Sequence, residues 1–158
     1  MAAAPEQLSP PRTRKRRNAA PSAAGWATPG ARTSGLDLTF AAGDLAAVRT
    51  AAATHAIALG LEPDRLEDTV LVVHELCGNA IRHGGGAGRL RLHRLGDRLI
   101  CQVSDSGPGM TGTDHAGTEL PPLRTPGGRG LWLARRFSSV RIASSRSGTT
   151  VTADLPLR

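Results

Sequence analysis

Lysine is all but missing from this chain: Lys15 is the only one, and every other basic side chain is an arginine. With so much alanine and glycine, that scarcity reads as a composition bias of the source, not as mechanism. No stretch approaches the roughly 18 apolar residues that a membrane-spanning helix needs. The N-terminus also lacks the continuous apolar segment of a secretory signal. A cytoplasmic protein is the expectation. Cysteine is down to Cys77 and Cys101, both inside apolar periodic segments, so buried thiols in a reducing compartment are expected. There is no Gly-Lys-Ser/Thr of a P-loop and no internal repeat.

What charge there is lies unevenly. Residues 1–34 hold Arg12, Arg14, Lys15, Arg16, Arg17 and Arg32 against Glu6, a net of +5, which leaves +2 of the total +7 for residues 35–158. A basic domain face is therefore not implied, and direct nucleic-acid binding is not the favoured reading. Residues 1–34, rich in Ala, Pro, Ser and Arg and without periodicity, are expected to be a disordered basic tail, because such a segment cannot bury enough apolar area to offset its ordering entropy. The Arg12–Arg17 cluster could touch an anionic partner; a solvated tail is the simpler expectation. The remaining length suits one domain, residues 35–158.

Leu36–Phe40 alternates and reads as a strand. Residues 43–59 place Leu45, Val48, Ala52, Ala56 and Leu59 at helical spacing, with Gly60 as the stop. A second helix is expected over 65–83, with Pro63 near its start and Asp64 as N-cap. Its apolar stripe is Leu66, Val70, Val73, Cys77 and Ala80. Glu75, Asn79 and Arg82 share the opposite side, where Leu71 and Val72 also lie, so burial on two sides is expected. Residues 89–95 and 98–104 form a hairpin turning at Gly96-Asp97. Residues 110–128 are too long for an ordinary connection and read as a lid. A short helix over 131–137 and strands over 140–144 and 149–155 close the chain. This order predicts an α/β (α+β) two-layer sandwich: a mixed, mostly antiparallel sheet with helices on one face.

Three segments carry chemistry. On the second helix, Asn79 offers a carboxamide oxygen, a hard donor suited to Mg²⁺, which takes one or two protein oxygens plus phosphates. Glu75, one turn earlier, could orient or deprotonate a hydroxyl or water. Asp105 ends a strand and could accept an exocyclic amine of adenine, while Gly107 and Gly109 let backbone approach without a Cβ; an ordinary turn explains the same residues. Gly127-Gly128-Arg129-Gly130 precedes a helix whose first amides could meet phosphate oxygens, with Arg129 adding charge. Two other motifs fail. His74-Glu75 begins like a zinc-protease helix, but Gly78 stands where the second histidine belongs. Gly107-Pro108-Gly109-Met110-Thr111-Gly112 matches a dinucleotide fingerprint but no helix follows.

In combination these segments resemble the GHKL superfamily of ATPases and kinases, which share the Bergerat ATP-binding fold. Glu75, Asn79, Ala80, His83 and Gly84 look like its N box. Asp105-x-Gly107-x-Gly109 looks like the first glycine box, Gly128-x-Gly130-Leu131 like the second, and Ser147–Val151 like the closing Gly-Thr segment. The resemblance spans about residues 35–157 and is strongest to the small, stand-alone anti-sigma-factor serine kinases; a histidine kinase would carry a phospho-acceptor helical domain ahead of the fold. It implies ATP and Mg²⁺ as cofactors, a sigma factor as partner, and phosphorylation of an anti-anti-sigma protein on Ser or Thr; such proteins often form homodimers. By position, Asn79 would hold Mg²⁺, Glu75 would act as base and Asp105 would read adenine. Gly107, Gly109, Gly128 and Gly130 would shape the pocket, with His83, Arg129, Leu131 and Thr149 around the nucleotide. The alternative is an ATP-gated protein-binding regulator without transfer. Gly78 departs from the N-box pattern and lowers helix propensity by about 1 kcal/mol relative to alanine.

Overall fold

A computed structural model describes residues 35–122 and 128–158. The expected tail with its Arg12–Arg17 cluster, and residues 123–127 of the expected lid, lie outside the described residues. The chain order is β1 (Leu36–Ala41), α1 (Leu45–Ala58), a 3-10 turn (Pro63–Arg65), α2 (Leu66–His83), β2 (Ala87–Leu95), β3 (Arg98–Ser104), α3 (Arg129–Phe137), β4 (Ser139–Ser145) and β5 (Gly148–Pro156).

The five strands form one sheet in the order β1-β2-β3-β5-β4. The two-layer sandwich is as expected, but every described pairing is antiparallel, so the mixed component is absent among the described residues. The connections explain this. Helices α1 and α2 run out and back, and the chain re-enters the sheet beside the end of β1, where Ala42 N donates to Gly86 O (3.1 Å). The single helix α3 sets β4 parallel to β3, but its hairpin partner β5 inserts between them.

Alternation along the strands selects the core. Leu90 and Leu92 of β2, Leu99, Cys101 and Val103 of β3, and Val151, Ala153 and Leu155 of β5 are buried against the helices. Val48, Ala52 and Ala56 of α1 and Val72, Val73, Leu76, Cys77 and Ala80 of α2 meet them. Each fully buried leucine adds about 1.5–3 kcal/mol. Burial pushes the Cys77 thiol up to about 12 and raises Cys101 further, so both are inert.

Local details differ from the periodicity. Helix α1 begins at Leu45 because Gly43 holds a left-handed φ of +102°, and Asp44 Oδ2 accepts from Ala41 N (2.8 Å). Asp64 is not the cap of α2; it lies inside the 3-10 turn, and no side chain caps the helix. Glu67 and Asp68 in the first turn complement the helix dipole instead. Leu66, Val70 and Leu71 stay partly exposed, so burial of α2 on two sides is only partial.

The outward face of the sheet is polar, as antiparallel sheets allow. His93 lies there opposite Ile100. Burial, and to a lesser degree the Arg91 charge, holds its imidazole below the ordinary 6.5. The folded chain thus binds this proton less readily than the unfolded one. The associated stability is complete above pH 6.5 and is lost as pH falls through the lowered value. His93→Gln is expected to lose less stability than the parent between about pH 7.5 and about pH 5.5 in denaturant unfolding; equal losses would remove His93 as the cause.

Candidate functional site

The site grows from one side of α2. Glu75 and Asn79, one turn apart, point the same way. The Glu75 side chain is 20% exposed. Arg82 Nη2 donates to Asn79 Oδ1 (3.0 Å) and stands 4.0 Å from Glu75 Oε2. Helix α3 arrives across this surface. Gly128 caps it in the left-handed conformation, φ +83°, so the helix starts at Arg129, two residues earlier than its apolar pattern suggests. Gly130 is thereby seated in the first turn. A Cβ on it would lie 2.6 Å from Glu75 Oε2 and 3.2 Å from both amide atoms of Asn79. A larger residue there would have to push the ends of both polar side chains aside, so glycine lets the first turn of α3 come close to them. Beside it, Arg129 Nε is buried with no hydrogen-bond partner among the described residues.

The second wall forms where β3 ends. Asp105 N donates to Thr149 O (2.9 Å). Asp105 Oδ1 accepts from Gly107 N (3.0 Å) and Thr149 N (3.2 Å), leaving Oδ2 for another donor. Three loops are locked here by missing side chains. A Cβ at Gly84 or Gly148 would strike Asp105, and one at Gly107 would lie 2.6 Å from Gly84 Cα. Gly109, at φ +82°, lies against Ser145 O. The bond from Gly107 N to Asp105 Oδ1 is that of an ordinary Asx turn, and the close packing of the neighbouring glycines comes in addition to it. Thr149 is buried, and its hydroxyl shares a 2.9 Å bond with Ser144 Oγ, which accepts from Met110 N (2.7 Å).

Between these walls lies a cavity of about 40 Å³, reached by Asn79, His83, Asp105, Met110, Leu131 and Thr149. Small-molecule pockets run to about 300–1,000 Å³, so this cavity by itself is too small for a nucleotide. From the 110–128 segment Met110 borders this cavity, and the rest of its described part packs on α3. Arg135 Nε donates to Ala116 O (2.8 Å), and Gly117 packs on Leu131. A larger groove of about 540 Å³ runs between α1 and α2, lined by Arg49, Leu66, Val70 and His74 among others. It has greater volume, but none of the sequence-expected site residues lines it.

The sequence-expected residues divide accordingly. Asn79, His83, Asp105, Gly109, Leu131 and Thr149 line the cavity. Glu75, Gly128, Arg129 and Gly130 gather at its α2–α3 end, and Gly107 supports Asp105 from behind. Sequence reasoning passed over Ser144, Met110 and Arg135 as site residues. Their partners are set by strand register and by the path of residues 110–122, which carry no short motif. No group of three His, Cys, Asp or Glu suited to a metal ion exists among the described residues. A cation here would instead take a carboxamide oxygen plus ligand phosphates.

The fold and site define an ATPase-type two-layer sandwich. The model of the histidine kinase-like ATPase domain matches residues 38–155, and the chain belongs to that family. Among solved structures, the nucleotide-free catalytic domain of histidine kinase ThkA is 16% identical, with 77% of this chain and 95% of that one covered and a TM-score of 0.51; this likeness concerns the fold alone. The blue-light activated histidine kinase EL346 of Erythrobacter litoralis is 25% identical, with 61% of this chain and 32% of that one covered and a TM-score of 0.47. The chain thus spans about a third of that kinase. Histidine kinase AdeS of Acinetobacter baumannii is 17% identical, with 78% and 68% covered and a TM-score of 0.46. No curated protein matches the chain significantly. Among the described residues no helix is long and apolar enough to cross a membrane.

Proposed function

We propose that this chain binds Mg²⁺-ATP and acts as an anti-sigma factor with serine/threonine kinase activity toward an anti-anti-sigma protein. The observation that carries the reading is the meeting of Gly130 with Glu75 and Asn79, which gathers a helix N-terminus, a carboxylate and a carboxamide oxygen at one point. That set fits a metal-bound polyphosphate. The unpartnered Arg129 Nε supports the same fit. ATP supplies the transferable γ-phosphoryl group. Asn79 would hold Mg²⁺, and the first amides of α3 with Arg129 would bind phosphate oxygens. Asp105 Oδ2 would accept the adenine amine. His83, Leu131 and Thr149 would border the base and sugar, and Gly107 and Gly109 would keep that approach open.

Glu75 favours a hydroxyl acceptor. A serine or threonine oxygen must shed its proton as it attacks, and a carboxylate one helical turn from the metal ligand is placed to take it. A neutral imidazole attacks through a free lone pair and has no such need.

A second reading, an ATP-gated switch without transfer, draws support from the cavity of about 40 Å³. Admitting a nucleotide must widen that cavity, and the widening alters the surface offered to a partner. A pulldown from the native host, with and without Mg²⁺-ATP, separates the two. Kinase action predicts a co-purifying small protein bearing phosphoserine or phosphothreonine. Nucleotide-dependent capture without phosphate would leave the switch, and capture indifferent to nucleotide would sink both.

A further inference from the structure

Gly78 is the odd residue of α2. It sits in the interior of a regular helix, where glycine is unfavourable, and it is buried. No positive φ requires it; it is absent from the left-handed glycines. Its neighbour explains it. The three nearest atoms that an added Cβ would meet all belong to the Arg82 guanidinium, with Nη1 at 3.0 Å and Cζ and Nη2 at 3.4 Å. The missing side chain is a seat for that group. From the seat, Arg82 Nη2 bonds Asn79 Oδ1 at 3.0 Å and faces Glu75 Oε2 at 4.0 Å.

Oδ1 is the atom that Asn79 would offer a metal. A guanidinium bonded to it occupies a lone pair and repels a divalent ion approaching the same oxygen. We propose that Arg82, seated on Gly78, is a built-in cationic stand-in that holds Asn79 and Glu75 in the ligand-free protein and must leave Asn79 before Mg²⁺ takes its oxygen. The inference rests on the nucleotide reading of the site. Arg82 is 49% exposed, so its departure needs no unpacking of the core, and an incoming polyphosphate gives the displaced cation a new anionic partner. Arg82 is a positioning residue in this account. Metal and nucleotide binding are coupled through it, because each helps to move the same side chain.

The test uses the full chain, a fluorescent ATP analogue and Mg²⁺. Gly78→Ala keeps the Arg82 charge but crowds its guanidinium, which must give by a few tenths of an ångström to clear the added methyl group. The Mg²⁺ concentration at half-maximal analogue binding is expected to fall about threefold, as expected from losing a half-exposed charge-assisted bond. In the ligand-free protein, the Asn79 side-chain amide signals in a ¹⁵N–¹H spectrum are expected to move in Gly78→Ala as they do in Arg82→Met. Alanine is the better helix former, so the variant keeps the fold. A parent-like Mg²⁺ midpoint or parent-like Asn79 signals in Gly78→Ala would overturn the seat. A parent chain that binds no nucleotide at any Mg²⁺ concentration would overturn the nucleotide reading and the metal competition together.

Discussion

Glu75→Gln is expected to lower phosphoryl transfer about 10²–10⁴-fold while leaving Mg²⁺-ATP affinity within about threefold. Glutamine keeps the size and polarity of the side chain but cannot take a proton. It also gives up the pairing with Arg82, which is only a 4.0 Å contact at a half-exposed guanidinium and is therefore weak. Binding and transfer thus separate in this variant. Asn79→Ala, by contrast, is expected to lose both, because the carboxamide oxygen proposed to hold the metal is gone. Single-turnover transfer to the co-purified antagonist, beside equilibrium binding of a fluorescent nucleotide, measures the two quantities. Full transfer by Glu75→Gln would remove Glu75 as the base.

Asp105→Asn has the second large expected effect, and the hydrogen bonds give its sign. Oδ1 of Asp105 already accepts two backbone N–H groups, from Gly107 and Thr149. An asparagine must keep its oxygen on those donors, so its NH₂ replaces Oδ2 at the pocket. The adenine amine would then meet a donor instead of an acceptor. Leaving such groups unpaired costs about 1–3 kcal/mol, so ATP affinity is expected to fall about 100-fold. GTP, whose ring carries a carbonyl at that position, is expected to lose far less. The backbone bonds that lock the three loops survive, so the fold is kept, which thermal unfolding checks. Equal loss of both nucleotides would mean that Asp105 only supports the loops.

How much of this was legible beforehand varies from element to element. The strand at 149–155 shows its alternation plainly, whereas in the strand at 98–104 Ile100 is buried on the outward side between Leu99 and Cys101. The four-residue spacing of Glu75 and Asn79 is a local property of any helix, so their shared side was readable without coordinates. The start of α3 was misjudged. Arg129 and Gly130 carry no apolar periodicity, and only the left-handed Gly128 shows where the helix begins. The stripe on α2 was also misjudged, because Leu66 and Val70 face a groove that α1 leaves partly open.

The sequence by itself determined most of the elements, the side of α2 that carries Glu75 and Asn79, and the close approaches at Gly107, Gly109 and Gly130. These depend on backbone sterics and helical or strand period, which act over a few residues. Only the tertiary structure decided that β5 lies between β3 and β4, and that Gly130 touches the Glu75–Asn79 pair. It also decided that Ser144 ties Met110 to Thr149, and that Arg82 rests on Gly78. The first three join residues far apart in the chain, so they depend on how whole elements pack. The last is local in sequence, but helical spacing leaves the direction of a long side chain open. Its place depends on the bare backbone of Gly78 and on the acceptors at Asn79 and Glu75.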